Sequence, residues 1–465
     1  MFKKIAGFFA QPKEIEVNKT PEEINKLYPM YRRNIFFSCF IGYVVYHLTR
    51  KNIAVAIPYL TKDFGFTNLE VGILGSSLYL TYGIGKFVSG ILADNSNVRT
   101  FMPTALIMSA IANICFALSA LFITPGEFTF FGLPSATILL WLLAFFWGAN
   151  GWFQSMGFPP IAKSLTYWFS NSERGTKWAI WSTSHQVGVF LAVLISGFTV
   201  KHFGFYGIFF FPAILCIITA IGLFAGLRDK PTTIGLPDVE EYKGEPKRQA
   251  DIDTNADMSY LQIFLKYILF NKIIWLLAIA YVFVYVIRFG TEDWIIKFLV
   301  EAKGNSIELA TQKLSCLAFF GILGAVLAGI FSDIFFKGKR MPVNLLYLLG
   351  IVVSLILLMM PFNNDLLDYA LVAIIGFCTA GPQLLIGGLC AVESSSKKVA
   401  SASIGFTGIF GYIGAFTSSM GTGFMVDKYS WNGAVTFWII AAIICILICT
   451  ALMFHEYGWF KKKEN

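Results

Sequence analysis

Charge is what this chain has least of: only 14% of its 465 residues are Asp, Glu, Lys or Arg, against about 25% in a soluble globular domain. So little charge cannot wet a surface of this size, so lipid must be part of the solvent. Histidine is scarcer still, at four residues, and the eight cysteines stand singly in apolar stretches, with no CxxC and no histidine at ligand spacing. That excludes zinc ribbons, redox dithiols and a disulfide framework, and leaves the cysteines as small apolar side chains. No metal and no cofactor is expected. No Ser/His/Asp set falls inside the apolar stretches, and the glycines at 405, 408, 411 and 414 suit close helix packing better than a phosphate loop, so no enzyme is expected. The first apolar run begins too late, and lacks the flanks, for a cleaved leader.

What fills the chain is apolar sequence: 56% hydrophobic, 17% aromatic, with a mean hydropathy of +0.65. A membrane-spanning helix needs ~20 mostly apolar residues. Twelve runs qualify, at 34–60, 70–93, 101–123, 136–158, 176–200, 205–227, 268–298, 311–335, 342–361, 367–391, 399–426 and 432–455. The one clear shift in composition, "RDKPTTIGLPDVEEYKGEPKRQADIDTNAD", divides them six and six and reads as a linker. The expected organisation is an all-α integral membrane protein with a tail at 1–33, a six-helix bundle at 34–227, a linker at 228–266, a second bundle at 267–456 and a tail at 457–465. The net charge of +8 would suggest nucleic acid in a soluble protein, but here it follows from orientation. Arg99, Arg174, Lys177, the linker cations, Lys337, Lys339, Arg340, Lys397 and Lys398 fall in alternate loops, whereas "TPGEFTFFGLPS" and "PFNNDLLD" carry none. The positive-inside rule then puts both termini in the cytoplasm. No nucleic-acid partner is expected.

The two halves share a plan. Gly90 to Asp94 closes the second span and leads to Arg99; Gly329 to Asp333 closes the eighth and leads to Arg340. In each, the glycine is expected to begin a close helix packing and the Asp–Arg loop to pair charges across helix ends. Only nine of the 36 basic residues are arginines, and two of these, Arg50 and Arg288, lie within spans. Arg50 stands 44 residues before Asp94 and Arg288 stands 45 before Asp333, so they occupy equivalent places in the first helix of each half. Pseudo-symmetric halves with a site near the midplane are a common plan of secondary transporters.

Helical spacing gathers aromatic residues beside these cations. The first span shows Tyr43, Tyr46, His47 and Arg50 on one face, the second Tyr79, Tyr82 and Lys86, the fifth Trp178, Trp181 and His185, and the seventh Tyr281, Tyr285 and Arg288. No embedded carboxylate is expected at a depth to neutralise the two arginines, although Glu292 and Asp293, one turn beyond Arg288, offer it a local partner. Ionisable groups inside a membrane are functional candidates, and guanidinium forks suit a phosphate dianion. Lys86 serves either that anion or a lipid headgroup. Lys51 points about 100° from Arg50 and answers either the site or a nearby dipole. His185 reads equally as a donor or as a satisfied core histidine.

These residues resemble a known family. The segments "GY..Y...RKN.A.A.PYL", "YG..KF..G..AD.SN.R.F.P", "GWFQSMGFPP", "SHQVG", "GLPDVEEYK", "VFVYVIRFGTEDW" and "GFTGIFGYIGA" are similar to those of the organophosphate:phosphate antiporters of the major facilitator superfamily, over about residues 30–440. The resemblance implies that Arg50 and Arg288 bind the substrate phosphate, that Lys86 and His185 match a lysine and a histidine of the family's site, and that Tyr43, Tyr82 and Tyr285 match site tyrosines. Lys51, Tyr46 and His47 complete the expected substrate-binding set; Asp94, Arg99, Asp333 and Arg340 are expected to act in gating. The chain departs from the family at His47, Ser182, Ala318, Ile404 and Thr407, where the organic group should be read. The implied activity is uptake of glycerol-3-phosphate or a sugar phosphate such as hexose 6-phosphate across the plasma membrane, in exchange for inorganic phosphate, by rocker-switch alternating access. A membrane sensor of the same fold, signalling to a partner kinase, is the rival. A monomer is the working expectation.

Overall fold

A computed structural model describes residues 7–245, 262 and 264–456 apart from 95, 363 and 396–399, and leaves out the side chains at 87, 91, 94, 171, 172, 174–176, 179, 392 and 400–402. The second half of the expected linker, the C-terminal tail and the side chain of Asp94 therefore lie outside the described residues. The chain divides into two compact units, one formed by residues 1–52 and 80–250, the other by 53–79 and 251–465.

In the first unit, helix α1 spans Pro21–Lys51. It begins well before the apolar run because Thr20 and Glu23 form a reciprocal capping box ahead of Pro21, satisfying backbone donors that a helix start leaves open. Helix α2, Ile53–Lys62, follows after the single residue Asn52 and belongs to the second unit. The Thr49 carbonyl accepts from the side-chain amides of Asn113 (3.2 Å) and Asn150 (2.7 Å), so it is taken up by side chains here, while Asn52 keeps helical backbone angles (φ −59°, ψ −29°).

Helix α3 is Asn68–Asp94, α4 is Val98–Phe122, α5 is Ser135–Ser155 and α6 is Phe158–Trp168. Between α4 and α5 a two-residue antiparallel pair, Thr129–Phe130 with Leu133–Pro134, turns the chain. Helix α7, Asn171–Gly226, holds the fifth and sixth spans, parted at Gly204, whose φ of +65° only glycine adopts freely. Within the unit, α7 packs on α1 and α4, and Tyr28, Tyr43, Tyr46, Met102, Leu106, Trp168 and Trp181 share one buried core.

Residues 228–245, which composition marks as linker, dock onto this unit. Asp229 pairs with buried Lys163 at 3.0 Å and accepts from the Val98 amide at 3.0 Å. Tyr242, in the short helix α8 (Val239–Lys243), stacks on Tyr28 at 3.9 Å. The N-terminal segment joins the same layer, with the Ile15 amide donating to the Thr232 carbonyl at 2.9 Å. Glu173 binds Arg32 here. Partial burial pushes the Glu173 carboxyl up, but the Arg32 hydrogen bond and the Arg32 and Lys243 charges outweigh it and leave it below the usual carboxylate range.

In the second unit, α9 spans Lys272–Lys303, α10 Ile307–Ile334, α11 Met341–Met359 and α12 Asp365–Leu384. A π-helical segment, Leu385–Cys390, continues α12 just beyond Pro382. Helix α13, Ala400–Glu456, holds two spans parted at Ser430 (φ +57°). With α7 and α13 each parted in two, and α1 with α2 and α5 with α6 each taken as one run, the described helices match the twelve expected spans. The start of α3 is tied down within this unit: Asp427 accepts from the Asn68 and Leu69 amides at 3.0 and 2.6 Å.

Arg340 pairs with Asp333 at 2.5 Å and with Glu393 at 2.9 Å. The expected Asp–Arg pairing is thus present in this loop, with Glu393 as an addition. Arg99 is exposed and donates to the Phe224 carbonyl at 2.7 Å.

Glycines let some of these helices touch backbone to backbone. A Cβ at Gly414 would collide with the Val282 carbonyl, and one at Gly411 with the Tyr281 ring. Gly405 faces open space, so that part of the expected glycine packing is corrected. Gly90 and Gly329 also have nothing close by, so the close packing expected to begin at each of them is corrected as well. We therefore expect Gly414→Ala to destabilise the protein by about 1–3 kcal/mol through overpacking. Gly405→Ala should be neutral or slightly stabilising, since alanine is the better helix former. Thermal unfolding of the purified variants in detergent separates the two.

Candidate functional site

Each unit carries an arginine-centred cluster. In the first, Arg50 is 8% exposed and its Nε and Nη2 donate to Gln154 Oε1 at 3.2 and 3.1 Å. Its guanidinium lies over the Tyr82 ring, 4.5 Å from the centroid, where the ring's negative face attracts a cation. The Gln154 amide nitrogen, in turn, lies within hydrogen-bonding distance of the Tyr46 carbonyl (2.9 Å), Thr49 Oγ1 (2.9 Å) and Ser109 Oγ (2.8 Å). Ser109 donates to Asn150 Oδ1 at 2.6 Å. Gln154, Asn150, Ser109 and Asn113 are all fully buried. Burying polar groups is tolerable only when they satisfy one another, and here they do so while fixing the acceptor that Arg50 needs.

The other first-unit candidates divide by exposure. Tyr43 packs edge-on against His47 and at a tilt against Trp181, each at 4.9 Å between centroids. His47 is fully buried; its Nδ1 lies 2.9 Å from the Tyr43 carbonyl, which makes that nitrogen the protonated one. The His47 ring sits 4.5 Å from that of His185, which is partly exposed. Tyr46 is also fully buried, with its hydroxyl on the Met102 carbonyl at 2.8 Å. Lys51 is buried, and Lys86, partly exposed, lies 5.8 Å from the Phe158 ring centroid.

In the second unit Arg288, 3% exposed, donates from Nε to Glu292 Oε1 at 2.7 Å on the same face of α9. The rings of Phe289 and Tyr285 lie 5.1 and 5.8 Å from the guanidinium carbon. Tyr281 donates to the Tyr285 hydroxyl at 3.2 Å. Asp293, one residue past Glu292, accepts a short hydrogen bond from Tyr79. The expectation that no embedded carboxylate neutralises the arginines is thus corrected at Arg288: Glu292 does so, one helical turn away and buried with it.

Among the positions where the chain departs from the family it resembles, Ser182 and Ile404 are exposed, Ala318 is buried, and Thr407 is buried with its hydroxyl on the Ser403 and Ile404 carbonyls at 3.1 Å. All eight cysteines are free. Among the described residues no cluster of His, Cys, Asp or Glu could hold a metal ion.

Sequence reading missed Gln154 as a site residue. Its signal was an amide in the apolar fourth span, four residues after Asn150 and therefore on the same face.

Comparison with known proteins adds to this geometry. Residues 39–419 match the Major Facilitator Superfamily. The chain is 40% identical over 468 residues to a "Probable hexose phosphate transport protein" of Chlamydia muridarum, covering 98% of this chain and 97% of that one. It is 37% identical to the "Glycerol-3-phosphate transporter" of Bacillus subtilis, covering 91% and 93%. It is 32% identical to the "Hexose-6-phosphate:phosphate antiporter" of Escherichia coli, covering 92% and 91%. The fold is similar to that of a bacterial homologue of the human lysosomal transporter Spinster, with a TM-score of 0.71 at 16% identity over 91% of this chain and 96% of that one.

Gln154 is the keystone of the first cluster. Gln154→Leu preserves volume but takes from Arg50 the acceptor of two hydrogen bonds and from Thr49 and Ser109 a donor. A loss of about 1–3 kcal/mol is expected for each buried group left unsatisfied, read as a fall in the unfolding temperature of the purified protein. Glu292→Leu in the second unit should cost more, about 3–5 kcal/mol, because it removes the carboxylate from a buried ion pair.

Proposed function

Because this chain belongs to the organophosphate:phosphate antiporter family of the Major Facilitator Superfamily, we propose that Arg50 and Arg288 are the ligands of its substrate's phosphate group. The protein is a multi-pass membrane transporter of organophosphates and not an enzyme. The observation that carries the assignment is a guanidinium buried at the equivalent place in the first helix of each sequence half. A charge so placed has lost its water and must be given acceptors, and a phosphoryl group offers three oxygens and up to two negative charges to a planar fork. Tyr43, Tyr82, Tyr285, Lys86 and His185 complete the site in this reading. His47, fully buried against His185, acts by orienting that ring.

The transported compound is glycerol-3-phosphate or a hexose 6-phosphate, taken up in exchange for inorganic phosphate. Both termini face the cytoplasm, as the bias of Lys and Arg toward alternate loops requires. Exchange follows from the same physics: a substrate dianion adds charge that neutral Gln154 cannot give Arg50 and replaces Glu292 at Arg288, so occupied protein changes state faster than empty protein.

Efflux of labelled phosphate from proteoliposomes tests this. Efflux should be at least tenfold faster when phosphate or organophosphate is outside, and about tenfold slower in exchange for Arg50→Lys and for Arg288→Lys, a difference of about 1.4 kcal/mol. Equal efflux into phosphate-free buffer would leave a uniporter in place of an antiporter. Normal exchange by both lysine variants would remove the arginine assignment. Binding of the organophosphate with no flux would mark a sensor.

A further inference from the structure

We propose that Glu292 is a resident counter-anion, displaced from Arg288 when substrate phosphate binds, and that it sets both the affinity for phosphate and the ease with which the empty protein cycles. The proposal rests on Arg288 being a phosphate ligand, the reading given above.

The pair lies on a single helix, four residues apart, with Nε to Oε1 at 2.7 Å. Its geometry therefore travels with α9 and does not depend on any other helix keeping its place. Both members are buried, Arg288 at 3% and Glu292 at 7% exposure, so neither can hand its partner over to bulk water. Whatever takes the guanidinium from Glu292 must bring oxygen acceptors and at least equal charge. A phosphoryl group brings both.

The neighbouring carboxylate does not compete for this role. Asp293 is engaged by the Tyr79 hydroxyl and projects about 100° around the helix from Glu292. The aromatic faces of Phe289 and Tyr285 lie close enough to hold the cation. Arg288 can thus stay in place while Glu292 changes rotamer.

Two consequences follow. The work of parting Arg288 from Glu292 is subtracted from the binding of every anion, which weakens affinity and speeds release. When no anion is bound, Glu292 supplies the acceptor, so the empty protein is spared an uncompensated buried charge and can return slowly. Glu292→Gln keeps a carbonyl acceptor for Arg288 but removes the competing charge.

The experiment uses the full-length protein, with inorganic phosphate as the probe. Phosphate binding in detergent should become about tenfold tighter in Glu292→Gln than in wild type. In proteoliposomes, the ratio of exchange to efflux into phosphate-free buffer should rise. A merely structural pair would give weaker or unchanged binding, and either result overturns the proposal. Should Glu292→Gln fail to fold, Glu292→Asp decides, since it keeps the charge but shortens its reach: tighter binding than wild type supports the proposal, and equal or weaker binding overturns it. Arg288→Lys is measured alongside. If it binds phosphate as wild type does, the ligand assignment fails; if it does not and Glu292→Gln is unchanged, only the role of Glu292 fails.

Discussion

A guanidinium inside an apolar helix has no water to return to, and that constraint organises both units. At Arg50 the answer is assembled from distant chain: Gln154, 104 residues away, presents its carbonyl oxygen, and it is held in that orientation by Thr49, Ser109 and the Tyr46 carbonyl. The same polar set takes the Thr49 carbonyl through Asn113 and Asn150. One network thus positions the arginine and takes up a carbonyl of the helix that carries it. At Arg288 the answer is local, a carboxylate one turn along. Equivalent charges in the two sequence halves have been solved by different chemistry.

Close approach of helices is the second constraint. Where glycine faces a neighbour's backbone, as Gly414 faces Val282, Gly376 faces Leu317 and Gly324 faces Phe377, the helices of the second unit pack without an intervening side chain. That leaves room for large rings such as Tyr281 against Gly387 and Gly411, so the aromatic stripe beside Arg288 depends on what is missing on the facing helices. In apolar surroundings, where burial against lipid gives little preference for protein contact, such packing supplies much of the association.

Much of the fold was legible in order. The apolar runs located the spans because lipid demands length and low charge from each crossing, and the breaks at Gly204 and Ser430 fall between runs recognised as separate. Other features were not legible. The early start of α1 depends on a capping box at Thr20 that hydropathy does not register. Residues 228–245 look like linker because they are polar and rich in Gly and Pro, yet Asp229 and Tyr242 bind them down through Lys163, Val98 and Tyr28. Composition measures solvent preference; it does not measure whether a polar residue finds a partner. The glycine series from 405 to 414 was read as uniform, whereas one of its members faces open space. Periodicity names a face without saying what lies opposite.

By itself the sequence determined that this chain lives in lipid and that two arginines stand within apolar runs, 44 and 45 residues before an aspartate. Those follow from spacing and composition, which are properties of the chain. Which group would accept from each arginine was decided only in the tertiary structure. The partner of a buried charge is whichever acceptor the packing brings within about 3 Å. For Arg50 that acceptor came from another helix, and for Arg288 it came from choosing Glu292 while Tyr79 took Asp293.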